Sequence, residues 1–480
     1  MSGIVIILVV MNGQNYRNYF RDKRITLMGL GLLGRGVGDA KFLAEFVAQL
    51  PRAGLVPVQA PPLVITDLKS AKELAPSLMK LKKLQAISYV LGEHRLKDFR
   101  NRDLIIKAAG VPLDSPFIAE ARRQGIPIEM STALFAKLSG AKIIGVTGTR
   151  GKTTVTSLIY EILKHCCQCQ GLSLTVRKVW LGGNIHGIST LALLPKVRPG
   201  DLVVLELDSW QLQGFGEDKL SPHISVFTNF YPDHLNYYHG DMGRYFEDKA
   251  NIYKYQQKED VVFAGKEISQ KIKTSGRKII PPALPTGWKL NLLGKHNRIN
   301  ASLAVAVARE LTVPDKVIKK VLAKFSGVPG RLELVRTWRG IKIYNDTTST
   351  TPDALRVGLE ALGGKKKNPA RRQGGIILIM GGADKKLDMS QAIKSVRRYC
   401  KAVILLPGTG TDKLKSYKLK AKSLMVANLR EAITIASELA RSGDSIILSP
   451  GFASFGPPPG GFKNEFDRGE KFNWLVKNLV

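Results

Sequence analysis

The sequence predicts an α/β protein of three domains, and three observations carry that prediction. Short apolar runs alternate with helical stretches along most of the chain, the βαβ pattern of parallel sheets. Two of these runs lead directly into glycine-rich turns, "GLGLLG" at Gly29–Gly34 and "GVTGTRGKTT" at Gly145–Thr154. The length of 480 residues, 44% of them apolar, exceeds one ordinary core and suffices for several.

Residues 1–23 are expected to be an N-terminal extension. Their apolar run "GIVIILVVM" is far shorter than the roughly 20 residues that span a bilayer. It also lacks the basic start and small-residue cleavage site of a signal peptide. From 24 to 138, "RITLMGLGLLGRG" reads as strand, glycine turn and helix, and "PLVITD" and "DLIIKAAGVP" as further strands of a Rossmann-like domain. A central domain, 139–328, opens with the strand "KIIGVTG" and closes with the helix "NRINASLAVAVAREL". Between them "DLVVLELDS" and "HISVFTNF" are apolar strands ending in polar residues, where ligand groups of open α/β sheets gather. The last domain, 329–480, repeats the alternation with "IKIYNDTTST", "GGIILIMGGADKK", "AVILLPG" and "SIILSPGFASF", and is again Rossmann-like. "KKKNPARRQ", residues 365–373, is expected as an exposed basic loop.

Basic residues outnumber acidic ones 73 to 39, a net charge of +34. That balance favours anionic partners without choosing among nucleotides, nucleic acid and an anionic membrane face. No nucleic-acid module is visible and aromatics do not interleave with the basic runs, so a specific nucleic-acid partner is not expected. Four cysteines in so long a chain make no disulfide framework. Three crowd into "HCCQC" at His165–Cys169, which lacks a second ligand pair and should end the helix after the second glycine turn. The cytoplasm is the default compartment.

"GVTGTRGKTT" departs from the common phosphate-loop pattern G-x-x-x-x-G-K-[ST] by one extra residue between its outer glycines. It still meets the physical requirements. Gly148, Thr149 and Gly151 let backbone amides approach phosphate oxygens, and a helix start at Lys152, Thr153 and Thr154 offers N–H groups and a positive dipole end. Lys152 would reach the β- and γ-phosphates of ATP, and the Thr153 hydroxyl would ligate Mg²⁺. Glu206, ending "LVVLEL", and His234 in "YPDHLN" follow apolar strands and are candidate metal ligands near the loop. "GLGLLG" fits G-x-G-x-x-G. The acid ending the next strand, Asp67, lies well past the about 20-residue offset of a dinucleotide site, which argues against NAD.

The string "GVTGTRGKTT", "GGNIHG", "LELDSWQL", "TNFYPDHLNYY", "EDKANIY", "GKHNRINA", "GVPGRLE", "YNDTTSTTPDA" and "SFGPPPGGFKNEFDRG" resembles the Mur ligases in content and order, over roughly residues 24–480. The lengthened loop is the family's own. Within the family the chain looks most similar to the branch that adds D-glutamate to UDP-N-acetylmuramoyl-L-alanine in peptidoglycan synthesis. The resemblance implies an acyl-phosphate mechanism using ATP and two Mg²⁺ ions. Lys152, His234 and Lys249 would be catalytic, and Thr153, Glu206, His234 and Lys249 would serve the metals, Lys249 as a carbamate. Asn297, Asn300, Arg331 and Asp346 match nucleotide positions. Leu32, Leu33, Asp67 and Asn184 match the UDP-substrate side, and Thr350, Lys385, Ser454 and Phe455 the amino-acid acceptor site. Spacing in "GGADKK" favours Lys385 over Lys386. Ala108-Ala109-Gly110, Thr348, Asp208 and the proline-rich "GPPPGG" depart from the usual family residues and bear chiefly on the acceptor. A sister ligase with another acceptor, and a basic ATP-binding protein held by polyanions or weakly by an anionic membrane, are the alternatives; a monomer is expected.

Overall fold

The computed structural model describes residues 16–48, 62–84, 87–168, 176–235, 237–363, 374–454 and 462–479. "GIVIILVVM", Cys169, "KKKNPARRQ", Phe455 and "GPPPGG" lie outside the described residues. The chain forms two compact units, Met1–Leu284 with Asn300–Val321, and Pro285–Ile299 with Leu322–Val480.

The first unit holds two parallel sheets. One contains β1 (Ile25–Met28), β2 (Leu63–Asp67), β3 (Ile87–Leu91), β4 (Leu104–Lys107) and β5 (Ile128–Glu129), in the order β3-β2-β1-β4-β5. The other contains β6 (Lys142–Thr147), β7 (Val179–Gly183), β8 (Leu202–Glu206), β9 (Ile224–Phe227), β10 (Val261–Ala264) and β11 (Arg277–Ile279), in the order β11-β10-β9-β6-β8-β7. The continuous apolar runs noted in the sequence become strands covered on both faces: β1, β4, β8 and β9 are buried at every position. Each glycine turn follows a strand flanked on both sides, β1 between β2 and β4, β6 between β9 and β8. Strand order reverses there and a crevice opens.

The two sheets share one hydrophobic cluster, in which Leu27 and Leu63 of the first are joined to Val203 and Phe227 of the second. The expected boundary at 138 therefore divides two sheets but not two cores. Part of the expected N-terminal extension also belongs to this core. The helix Tyr16–Phe20 sets Phe20 edge-on to Phe42, with ring centroids 5.4 Å apart. Tyr16 and Phe20 are buried, each worth roughly 1.5–3 kcal/mol.

The second unit contains β12 (Glu333–Trp338), β13 (Ile341–Asn345), β14 (Ile376–Met380), β15 (Cys400–Leu405), β16 (Lys422–Met425) and β17 (Ser445–Leu448), in the order β12-β13-β17-β14-β15-β16. Only β12 is antiparallel to its neighbour. The period of two in β14 sends Leu378 and Met380 into one core and Ile377 and Ile379 into another, so both faces are covered.

Candidate active site

The phosphate-loop candidate leaves β6 at Thr147 and enters the helix Lys152–Gln168. Gly148 and Gly151 have φ of +135° and +83°. A Cβ at Gly148 would lie 2.0 Å from Thr228 Oγ1, and one at Gly151 2.5 Å from Asn300 Oδ1. Glycine is required at both by backbone angle and by space. Residues just past β9 clamp the turn. Thr228 Oγ1 and Asn229 Nδ2 donate to the Arg150 carbonyl at 2.6 and 3.1 Å, while Asn229 Oδ1 accepts from Arg150 N at 2.8 Å. Sequence reasoning quoted "TNF" but gave these two residues no role; their position after a strand neighbouring β6 was the available signal.

Two lysines converge on the same turn. Lys152 Nζ donates to the carbonyls of Gly148 and Thr149 at 3.0 and 3.2 Å. Lys249, from the helix Met242–Ala250, donates to the Gly148 carbonyl at 3.0 Å although it is 101 positions away. Its amine is fully buried and lies 4.9 Å from the centre of the Tyr245 ring. Burial first, and the Lys152 charge second, hold its pKa well below the ordinary lysine value.

Glu206 ends β8 in register with Val146 of β6. It is buried, its Oε1 accepts a long bond of 3.4 Å from Asn184, and its Oε2 has no hydrogen-bond partner. A buried carboxylate oxygen left without a donor is costly unless something else meets it. An oxygen donor of this kind suits a hard divalent cation such as Mg²⁺. His234 has a left-handed backbone, φ +53°, and its ring packs 4.6 Å from Trp210 and 6.1 Å from Tyr245. Burial lowers its pKa, opposed by Asp233 and reinforced by Lys152 and Lys249, so its imidazole is neutral and open to a metal at neutral pH. Tyr231 N donates to Thr149 Oγ1 at 3.0 Å, tying the segment before His234 to the loop. Among the described residues no group of three or more His, Cys, Asp or Glu side chains is arranged to hold a metal.

The glycine turn after β1 is built differently. Asp67 Oδ2 accepts the N–H groups of Leu30 and Gly31, both at 2.9 Å, and Oδ1 accepts that of Lys69 at 2.9 Å. The Asp67 carboxylate thus braces the turn. Leu33 O accepts from Gly187 N at 3.0 Å, which joins the turn to the loop after β7. In that loop Asn184 bonds to Arg35 as well as to Glu206. Asp39, fully buried, accepts from Ser131 and Ser189, both at 2.6 Å, locking the helix Arg35–Ala48 against both sheets. Arg35 and Asp39 escaped the sequence reading because nothing marks a helical residue as a bridge between sheets.

Two departures from the family pattern find physical explanations. Asp208 caps the helix Ser209–Glu217, its carboxylate accepting from Gln211 N at 2.7 Å in a capping box, and Ser and Asp serve comparably there. Ala108 places its methyl 2.7 Å from where a Cβ on Gly29 would stand, so a small residue belongs at this contact.

In the second unit Asp346 follows β13, fully buried, and accepts from Ser449 Oγ at 2.8 Å and Leu332 N at 3.0 Å. Burial pushes its pKa up to about 7, with Arg331 among the groups opposing the rise. Lys385 Nζ donates to Thr350 Oγ1 at 3.1 Å, which brings two acceptor candidates together. Ser454 Oγ is buried without a partner. Thr348, where relatives often carry lysine, donates to the Gly330 carbonyl at 3.0 Å. Asn297 and Asn300 share the helix Lys295–Glu310; Asn297 bonds to the Leu293 carbonyl, and Asn300 stands against Gly151.

A glycine turn at the centre of a parallel sheet, met by two lysine amines, is the arrangement expected of a nucleotide-using α/β protein. Comparison with known proteins narrows the class. The family models for the Mur ligase middle domain and for the "Mur ligase, glutamate ligase domain" match residues 146–286 and 330–452. The UDP-N-acetylmuramoylalanine–D-glutamate ligase of Roseiflexus sp. (strain RS-1) is 34% identical, across 95% of this chain and 99% of its own. The like-named protein of Borreliella burgdorferi (strain ZS7) is 33% identical across 96% and 98%. Among solved structures, a UDP-N-acetylmuramate-alanine ligase from Thermotoga maritima matches with TM-score 0.57 at 19% identity, over 95% of this chain and 99% of its own, a likeness of fold. The chain belongs to the Mur ligase family of ATP-dependent amide-forming ligases.

Proposed function

We propose that this chain joins D-glutamate to UDP-N-acetylmuramoyl-L-alanine at the expense of ATP, in peptidoglycan precursor synthesis. The observation that carries the reading is the Lys249 amine buried on the Gly148 carbonyl of the phosphate-loop candidate, which Lys152 also meets; the full-length relatives of that name support it. The γ-phosphoryl group passes to the substrate carboxylate, giving ADP and an acyl phosphate. The amine of D-glutamate then attacks the acyl carbon, loses a proton, and the tetrahedral adduct expels phosphate as the amide forms. The physical obstacle is repulsion between two anions. Lys152 and the phosphate turn hold ATP, with Asn300 at Gly151 and with Asn297, Arg331 and Asp346 assigned to the nucleotide. Thr153, Glu206, His234 and Lys249 would hold Mg²⁺, which would supply positive charge against the phosphoryl and carboxylate oxygens. The Lys249 amine, its pKa held well below the ordinary lysine value by burial, would serve there after adding to carbon dioxide with release of a proton to give an anionic carbamate.

Leu32, Leu33, Asp67 and Asn184 are assigned to the UDP-substrate, Asp67 through the turn it braces. Lys385, Thr350, Ser454 and Phe455 are assigned to the acceptor, Lys385 meeting a carboxylate of D-glutamate. Among the described residues no helix is long and apolar enough to cross a membrane. With the reading go the expectations of a cytoplasmic monomer and of weak retention at anionic membrane surfaces through the net charge of +34. Phosphate release measured with UDP-N-acetylmuramoyl-L-alanine tests the chemistry. Stimulation by D-glutamate but not by L-glutamate, L-alanine or L-lysine is expected. Stimulation by another acceptor instead transfers the chain to a sister ligase, and stimulation by none removes the reading.

A further inference from the structure

The excess positive charge is not spread evenly. Between Asp388 and Glu431 stand ten basic residues and a single acid, Asp412, and that acid is paired with Lys415 at 2.8 Å. Lys401 and Lys413 are also paired, with Asp444 and Asp384. Lys394, Arg397, Arg398, Lys418, Lys420 and Lys422 are exposed, and among the described residues none has a carboxylate within ion-pair distance. The fold gathers these six. Arg397, near the end of the helix Ser390–Tyr399, donates to the Lys418 carbonyl at 2.6 Å, fastening that helix to the loop that enters β16. β16 is the outer strand of its sheet, and Lys422 begins it. The cluster therefore occupies the margin where β15 and β16 start. Thr350, Lys385 and Ser454 follow the opposite, carboxyl ends of β13, β14 and β17 in the same parallel array. The charge does not serve the acceptor site.

Lysines on an outer strand also discourage edge-to-edge pairing, which accounts for Lys422 but not for three cations on the helix. Nucleic acid fits poorly. The two tyrosines of this stretch, Tyr399 and Tyr417, pack against the core and offer no stacking platform for bases. Six exposed cations without a base-stacking platform suit instead the anionic headgroup region of a bilayer. We propose that this cationic margin of the third sheet is a docking surface for an anionic phospholipid bilayer. The proposal deepens the membrane expectation given above and depends on it, while standing apart from the ligase chemistry.

The test is co-sedimentation of the full chain with phosphatidylglycerol-containing vesicles and with pure phosphatidylcholine vesicles, at low salt and at 0.15 M. Binding only to the anionic vesicles, weakened by salt, is expected. Each cation near such a surface contributes about fivefold in affinity. The triple variant Lys418→Glu/Lys420→Glu/Lys422→Glu should therefore bind about a hundredfold more weakly, with ligase turnover unchanged. Lys394→Glu/Arg398→Glu, on the separate helix, should weaken binding about twentyfold or more by the same arithmetic. A control with equal charge change, Lys316→Glu/Lys320→Glu/Lys324→Glu, should stay within about twofold. If both margin variants bind as tightly as the parent, the surface is wrong while the broader membrane reading stands. If the parent ignores anionic vesicles, both fail, and margin-dependent binding to RNA in that case would assign the surface to nucleic acid.

Discussion

Two glycine-rich turns stand at equivalent places in the first unit, after β1 and after β6, and their internal bonding is of opposite polarity. The turn after β1 gives backbone N–H groups to an internal anion, Asp67. The turn after β6 gives backbone carbonyls to the amines of two lysines, Lys152 and Lys249. The first is already neutralised by a carboxylate from its own fold and has no claim on a phosphate at those amides. The second gathers positive charge around itself and can attract one. Glycine spacing makes either turn possible; side chains arriving from other strands and helices decide which ligand charge it accepts.

The comparison is broken most severely by removing the two lysines. Lys152→Ala and Lys249→Met should each lower turnover by at least about 10²–10³-fold, the scale of lost charge stabilisation at a reacting centre. Lys249→Met should leave thermal stability unchanged or raised, since an apolar side chain of similar length replaces a buried amine. Retained turnover in either variant, measured by phosphate release, would overturn the polarity argument. Removing the anion from the other turn should act differently. Asp67→Ala orphans three N–H groups, those of Leu30, Gly31 and Lys69, at a cost of about 1–3 kcal/mol for each that is buried. The expected outcome is a lower urea midpoint and a raised KM for the UDP-substrate, with KM for ATP unchanged.

A third strand-end carboxylate sharpens the contrast by a smaller effect. Asp346 accepts one hydroxyl and one N–H, and burial pushes its pKa up to about 7 from 3.8. Between those values the folded chain holds a proton that the unfolded chain has lost. Stability from this group is therefore greatest at acid pH and falls as pH rises towards 7. From pH 5 to pH 8 the loss should be roughly 3 kcal/mol, nearly all of it below pH 7, at about 1.4 kcal/mol per unit. Asp346→Asn should flatten that slope in urea unfolding. An unchanged slope would mean that the carboxylate is ionised throughout.

Much of the site was legible in advance because its carriers are local. "KIIGVTGTRGKTT" contains its strand, its two obligatory glycines and its helix start within one continuous stretch; Glu206 and His234 were marked by their places after apolar strands, and the resemblance to relatives supplied Lys249. The clamp by Thr228 and Asn229, the bridges made by Arg35 and Asp39, and the core position of Tyr16 and Phe20 were not legible. Each depends on which distant strand or helix becomes a neighbour, and no periodicity records that.

By itself the sequence determined the alternation of strands and helices, the places where backbone must turn left-handed, and the residue types able to hold phosphate. Tertiary structure alone decided charge state and polarity: it drove the Lys249 amine out of water onto a carbonyl, left one oxygen of Glu206 without a donor, and spent Asp67 on its own loop. The reason is electrostatic. The free energy of an ionisable group is set by the water it loses and the partners it gains, and both are properties of the folded neighbourhood.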